Sequence, residues 1–397
     1  MRILSTGLGW NEFKPGGLNR YFVDYISALK ETGHSEQGIV IAERDEALDT
    51  DLNIVNVAGN ELHSYARMRR VREQTLQSVE AFRPDVFNPH FAMYAALVSR
   101  RALPEHVPIV THFHGPWASE SKMEDGGKTA VVREARYQMK KQLEKMTYRK
   151  SDSFIVLSEY ARDLLAEQYG IDERKVNIIP GAVEHQRFVP HPDRAALRLR
   201  LGIPGNEKLL FCARRIVRRM GIDILIEAMQ TVVRQEPNTR LLIAGDGPMR
   251  QSYEALISEY GLKGKVEFLG RVSNDELVEW YQAADLSLVP TITLEGFGLV
   301  TVESLACGTP VLGTPFGGTR EILSKLSNDL LFRDGRAQSM SDSIIAACRG
   351  ELAVPTRDAC REHVLQHYTW ECAAKAIVEV FEQEREKRRL QSAKSRG

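Results

Sequence analysis

The stretch Glu295-Gly296-Phe297-Gly298-Leu299-Val300-Thr301-Val302-Glu303 sets a carboxylate on either side of a glycine-rich turn. A loop of this kind that opens a helix offers unpaired backbone N–H groups and the positive end of the helix dipole to an anion. Carboxylates accept hydrogen bonds from paired hydroxyls, so the chemistry indicated is a polyhydroxylated ligand carrying an anionic group. The plainer alternative is an acidic cap and a solvated helix face. A second stretch, Arg214-Arg215-Ile216-Val217-Arg218-Arg219-Met220-Gly221, gathers four arginines, whose forks match phosphate oxygens. Its alternative is a solvated basic loop. Gly16-Gly17 either cradles a phosphate or simply turns the chain. In Thr111-His112-Phe113-His114-Gly115, His114 closes an apolar run. It is either an active-site group or a satisfied hydrogen-bonding residue. His112 and His114 are expected on opposite faces of a strand, which disfavours a shared metal site.

These residues need strands and helices to hold them, and the chain supplies both in alternation. Apolar runs at 2–6, 38–42, 53–57, 85–88, 109–114, 153–157 and 176–179 are strand candidates, with helical stretches at 18–32, 63–82, 130–150 and 159–169 between them. In the first helix, Leu18, Tyr21, Phe22, Tyr25, Ile26 and Leu29 share one face. The rhythm repeats with strands at 209–213, 240–244, 266–269, 286–290, 310–313 and 329–332 and helices at 221–235, 248–260, 275–284, 299–307 and 337–349. Alternating elements predict an α/β protein of two Rossmann-like, doubly wound domains. Val189-Pro190-His191-Pro192-Asp193 interrupts the pattern and marks the boundary. The expected domains are 1–189 and 194–369, with a helix at 370–397 that follows the last strand and packs back on the first domain. Its polar end, 382–397, is expected to fray.

Bulk properties narrow the class. The chain has 397 residues, 43% hydrophobic and 27% charged, which excludes a disordered or collagen-like protein. Lys+Arg and Asp+Glu are both 53, and that balance argues against nucleic acid as the main ligand. Five scattered cysteines match no zinc or redox spacing and fit a reducing compartment. The N-terminus lacks the apolar content of a signal peptide, and no apolar run reaches the roughly 18 residues of a membrane span. The expectation is a cytoplasmic protein, either soluble or peripheral to the inner face of the cell membrane.

Taken in order, the motifs resemble retaining glycosyltransferases of family 4. They run Gly16-Gly17, Phe113-His114-Gly115, Ser158-Glu159-Tyr160, Ile179-Pro180-Gly181-Ala182-Val183-Glu184, Arg215 through Gly221, Gly245-Asp246-Gly247-Pro248, Phe268-Leu269-Gly270, Glu295 through Glu303, and Ala306-Cys307-Gly308-Thr309-Pro310-Val311. The resemblance implies the GT-B fold with the active site in an interdomain cleft. It also implies a nucleotide-diphosphate sugar as donor and a saccharide or lipid-linked saccharide as acceptor. Glu303 would take the ribose hydroxyls and Glu295 the sugar hydroxyls. Phe297, Gly298, Leu299 and Val300 would line the sugar and diphosphate. Arg215 and Gly17 would hold the diphosphate, His114 would approach the sugar, and Val272 would line the base pocket. The pattern breaks at Met220, where the family usually has lysine; Arg219 or Arg218 would compensate. No metal or cofactor is expected beyond the donor. The alternative is a catalytically weak or silent sugar-nucleotide-binding protein. An epimerase or phosphorylase finds no support in the residues. A basic stretch from Lys128 to Lys150, with Val132, Met139, Leu143 and Met146 on one side, either covers the first sheet or lies on an anionic membrane.

Overall fold

A computed structural model describes residues 1–13, 16–43, 46–124 and 129–394. The helical period of the first amphipathic stretch becomes the helix Gly17–Glu31, which buries Tyr21, Phe22, Tyr25, Ile26 and Leu29. The strands before residue 182 are β1 (Arg2–Thr6), β2 (Ser35–Val40), β3 (Ile54–Asn56), β4 (Val86–Pro89), β5 (Val110–Phe113), β6 (Ser153–Val156) and β7 (Val176–Ile178). They pair in the orders β3-β2-β1-β4 and β5-β6-β7, all parallel, and a parallel bridge from Phe87 to Ile109 joins the two sets. Leu4, Ile39, Phe87 and Ile109 are fully buried along this sheet, as strands covered on both faces must be.

The second series is β8 (Lys208–Ala213), β9 (Thr239–Ala244), β10 (Val266–Gly270), β11 (Leu286–Val289) and β12 (Val311–Gly313). Their order is β10-β9-β8-β11-β12, again parallel throughout. The run at 329–332 is not a further strand. Ser327 Oγ accepts the N–H of Asp329 and caps a 3-10 turn at Asn328–Leu330, so only Leu331 aligns, in a single bridge to Gly313. Helices also form where no strong period was legible, at Ala92–Ala95, Trp117–Glu124, Arg194–Arg200, Gly317–Leu326 and Arg357–His367. Two of these start on side-chain caps, Asp193 and Thr356, that each follow a proline.

The chain forms two compact units, residues 1–182 with 370–397 and residues 183–369. The change of unit falls earlier than the proline-rich stretch. Val183 donates its N–H to the Tyr368 carbonyl at 3.0 Å and bridges to Thr369, which ties 183–189 to the second unit. The last helix, Trp370–Lys394, runs through the region expected to fray. Ile377 and Phe381 are fully buried, and Arg388 and Arg385 form ion pairs with Asp152 and Asp85 of the first unit. Residues 395–397 lie outside the described residues.

Candidate functional site

In residues 183–369 the candidate residues follow the C-terminal ends of parallel strands. β8 feeds the arginines, β10 leads to half-buried Val272, and β11 leads through Pro290 to the glycine-rich loop. Open parallel sheets take their ligands at these ends. The helix Leu299–Ala306 starts after Gly298, whose φ is 104°. A β-carbon on Gly298 would stand 2.6 Å from Thr319 Oγ1, so glycine is required for both conformation and space. The first N–H groups of that helix, beginning with Leu299 and Val300, have no intrahelical acceptor. A second helix, Gly317–Leu326, begins against the same loop. Gly318 donates its N–H to the Glu295 carbonyl at 2.9 Å, and a β-carbon on Gly317 would fall 2.4 Å from that oxygen. Two helix N-termini therefore converge on residues 295–298, and their dipoles favour negative charge there.

Glu295 is held by a neighbour that sequence reasoning left inside the arginine cluster without a role. Arg214 Nη2 lies 2.8 Å from Glu295 Oε2, with side chains only 6% and 12% exposed. Neither atom meets hydrogen-bond geometry, and Arg214 Nε has no hydrogen-bond partner among the described residues. The pair keeps hydrogen-bonding capacity for a polar ligand. Arg219, expected to face the donor, is buried, and its Nη1 donates to the Leu294 carbonyl at 3.2 Å. Leu294 has φ 55°, a strained value for a non-glycine residue. Arg219 thus shapes the loop just ahead of Glu295. Arg215 and Arg218 are the exposed members of the cluster. Met220 is buried, and its Sδ accepts the Thr291 hydroxyl at 3.6 Å.

Glu303 is buried in the helix Leu299–Ala306 and accepts the Tyr281 hydroxyl at 3.2 Å on Oε2. Phe297 is buried against Tyr368, ring centroids 5.9 Å apart. In this unit the structure brings Glu295, Phe297, Gly298, Leu299 and Val300 together on one loop and helix start. It sets Glu303 deeper in the same helix.

In the first unit, Gly17 is the exposed first residue of the helix Gly17–Glu31, and Gly16 caps it without a side chain. His114 follows β5 and belongs to a stack of imidazoles. Its Nε2 is 3.2 Å from His90 Nδ1, and His90 Nε2 is 2.7 Å from Asn88 Oδ1. The rings of His112 and His114 are 5.8 Å apart and nearly parallel. They share a face, because side chains two residues apart in a strand do so; the expectation of opposite faces was mistaken. Burial pushes His114 down to about 3 and holds His90 and His112 well below the ordinary imidazole value. Among the described residues no three His, Cys, Asp or Glu side chains are grouped to hold a metal. Three features escaped sequence reasoning: Arg214 as the partner of Glu295, Gly317-Gly318, and Asn88-Pro89-His90. The last had a signal, two polar side chains closing an apolar strand.

Residues 193–367 match the model of "Glycosyl transferases group 1", and residues 15–187 match that of "Glycosyltransferase Family 4". The chain is 30% identical over 255 residues to a GDP-mannose-dependent alpha-(1-6)-phosphatidylinositol monomannoside mannosyltransferase of Mycolicibacterium smegmatis, covering 60% of this chain and 64% of that protein. The chain spans 62%, 58% and 64% of the length of three such curated relatives. Sucrose-phosphate synthase of Thermosynechococcus elongatus superposes with a TM-score of 0.77 at 21% identity, over 96% of this chain and 98% of that one. Anabaena HepE in complex with UDP-glucose superposes with a TM-score of 0.74 at 20% identity, over 96% and 100%. With a glycosyltransferase model on each half and this fold along nearly its whole length, the chain belongs to the family-4-like glycosyltransferases of GT-B fold.

Proposed function

We propose that the protein is a retaining hexosyltransferase. It would move a hexose from a nucleotide-diphosphate sugar to a saccharide or lipid-linked saccharide, in polysaccharide or glycolipid assembly. The observation that carries this reading is the pair of carboxylates set around a helix start at the end of β11, Glu295 nearly buried and Glu303 buried. HepE holds UDP-glucose and the mycobacterial relative depends on GDP-mannose, which supports a nucleotide-diphosphate donor.

In this reading Glu303 accepts the ribose hydroxyls and Glu295 those of the sugar. Arg215 and the N–H groups from Phe297 to Val300 take the diphosphate, and Val272 lines the base. By family resemblance, Gly17 also takes the diphosphate and His114 the sugar ring. The acceptor oxygen bonds to the anomeric carbon on the face from which the diphosphate leaves. The diphosphate oxygen gains the electron pair of the broken bond and takes the acceptor's proton. Catalysis then rests on stabilising the leaving charge and on orientation. Arginine and helix dipoles do this without a metal, so turnover should persist in chelator.

No helix among the described residues is long and apolar enough to cross a membrane; the proposal includes reversible contact with an anionic membrane through the helix Ala130–Tyr148. The second reading, a silent sugar-nucleotide-binding protein, is favoured by the burial of Met220 where the family pattern carries lysine. Thermal-shift screening of nucleotide sugars, followed by turnover of labelled donor, separates the readings. A ligand at 100 times its Kd stabilises by about 2.7 kcal/mol. Stabilisation with release of nucleotide diphosphate is the expected result. Stabilisation without turnover on any saccharide supports the silent reading, and no stabilisation by any donor overturns both.

A further inference from the structure

The chain Val110–Asn88–His90–His114 has a direction that can be read from its fixed end. Asn88 Nδ2 donates to the backbone carbonyl of Val110, which can only accept. That contact settles the amide's orientation, so Oδ1 is the atom facing His90 Nε2 at 2.7 Å. A carbonyl oxygen cannot donate, so His90 carries its proton on Nε2. A neutral imidazole has one N–H, and His90 Nδ1 is left as an acceptor. The partner of that acceptor is His114 Nε2, at 3.2 Å.

We propose that Asn88 and His90 are positioning residues that fix His114 as a neutral imidazole protonated on Nε2, with the lone pair of Nδ1 presented as an acceptor for a hydroxyl of the transferred sugar. The sugar assignment rests on the reading of His114 given above. Nε2 of His112 is sealed without a partner, whereas His114 as a residue is only partly buried. The packing keeps the relay neutral. Tyr21 stands edge-on to His114 at 4.9 Å, and Tyr25 lies 4.5 Å from the His90 ring. Trp370 backs Tyr21 at 5.0 Å. No carboxylate or cation is among these neighbours, and burial lowers all three histidines. A neutral acceptor welcomes a hydroxyl and is repelled by a carboxylate. The device therefore selects a sugar with a free hydroxyl at this position over its hexuronate counterpart.

Histidine-selective 15N NMR on the ligand-free full chain reads the device directly. The expected result is a slowly exchanging proton on His114 Nε2, with scalar coupling across the hydrogen bond to His90 Nδ1. His90→Phe should abolish the coupling and the slow exchange. His90→Asn, which keeps an acceptor oxygen, should retain the slowly exchanging proton on His114 Nε2. A proton on His114 Nδ1, or one on His90 Nδ1 donated to His114, overturns the proposal. So does a His114 signal unchanged by His90→Phe. Wild-type protein alone suffices if a variant fails to fold. These measurements need no donor, so they stand apart from the sugar reading. That reading is tested by competing a hexose donor against its hexuronate, and equal use of both overturns the selectivity.

Discussion

Glu295 and Glu303 differ in what already holds them. Glu295 faces Arg214 at the loop, whereas Glu303 lies in the helix and shares the Tyr281 hydroxyl. Glu303→Ala should therefore weaken nucleotide binding by about 1.5–3 kcal/mol, the scale for a charged hydrogen-bond partner. Glu295→Ala should mainly lower turnover. Calorimetry with the donor nucleotide checks both, and unchanged affinity in the Glu303 variant removes the ribose assignment. The adjacent arginines separate in the same way. Arg215 is exposed, so Arg215→Ala should cut turnover about a hundredfold with little change in Tm. Arg214→Ala should lower both, because it strands a nearly buried carboxylate, a loss of up to about 3 kcal/mol. Thermal melts beside initial rates distinguish the two. Motif order was enough to find this loop and its glutamates. The division of labour among the arginines was not legible, because it depends on which guanidinium turns inward at the end of β8, and neighbouring residues of one type look alike in sequence.

At the scale of elements, the helix Ala130–Tyr148 shows how a charge run divides once folded. Lys150 does not join a basic face; it donates to the carbonyls of Ala95, Ala96 and Val98, and burial pushes it down to about 8. Lys140 lies over the Trp117 ring and Lys141 over Tyr137. Lys128 lies outside the described residues. Val131, Val132, Met139 and Met146 remain exposed, in company with exposed Arg136 and Arg149. Apolar exposure beside cations is what an anionic bilayer surface takes up. Liposome co-sedimentation should show binding at low salt that falls at high salt, and a Met139→Glu/Met146→Glu double variant should lose it. Absence of wild-type binding to anionic vesicles at low salt would leave a soluble acceptor. The same helix buries Glu144, which accepts from Tyr169 at 2.6 Å and is pushed up to about 7 by desolvation. A carboxyl raised when folded favours the native state at low pH, and that contribution is lost as pH rises from about 4.5 through 7. Glu144→Gln should thus gain on wild type over that range, by up to about 3 kcal/mol in denaturant melts. A constant difference from pH 5 to pH 8 would contradict the assignment. Helical period located this segment from sequence, but not the partners of its polar residues, which come from distant strands and loops.

Across the whole molecule, the alternation of strands and helices was readable because parallel strands are short continuous apolar runs, as at 209–213 and 240–244. The change of unit was not, because it is set by pairing between Val183 and residues near Thr369 rather than by the prolines at 190 and 192. That pairing makes the first unit discontinuous, since residues 370–394 complete it after the second unit has been passed. A chain ended at Thr369 should keep a cooperative transition for the second unit and lose that of the first, which would expose the surface covered by Ile377 and Phe381. Differential scanning calorimetry would show one surviving peak, and two intact peaks would contradict it. The discontinuity also orders events on the ribosome. The nascent chain releases the whole of the second unit before the closing helix of the first emerges. The amino-terminal half, although made first, reaches its finished state last, and its unfinished sheet is the part of the newborn protein that a chaperone would meet.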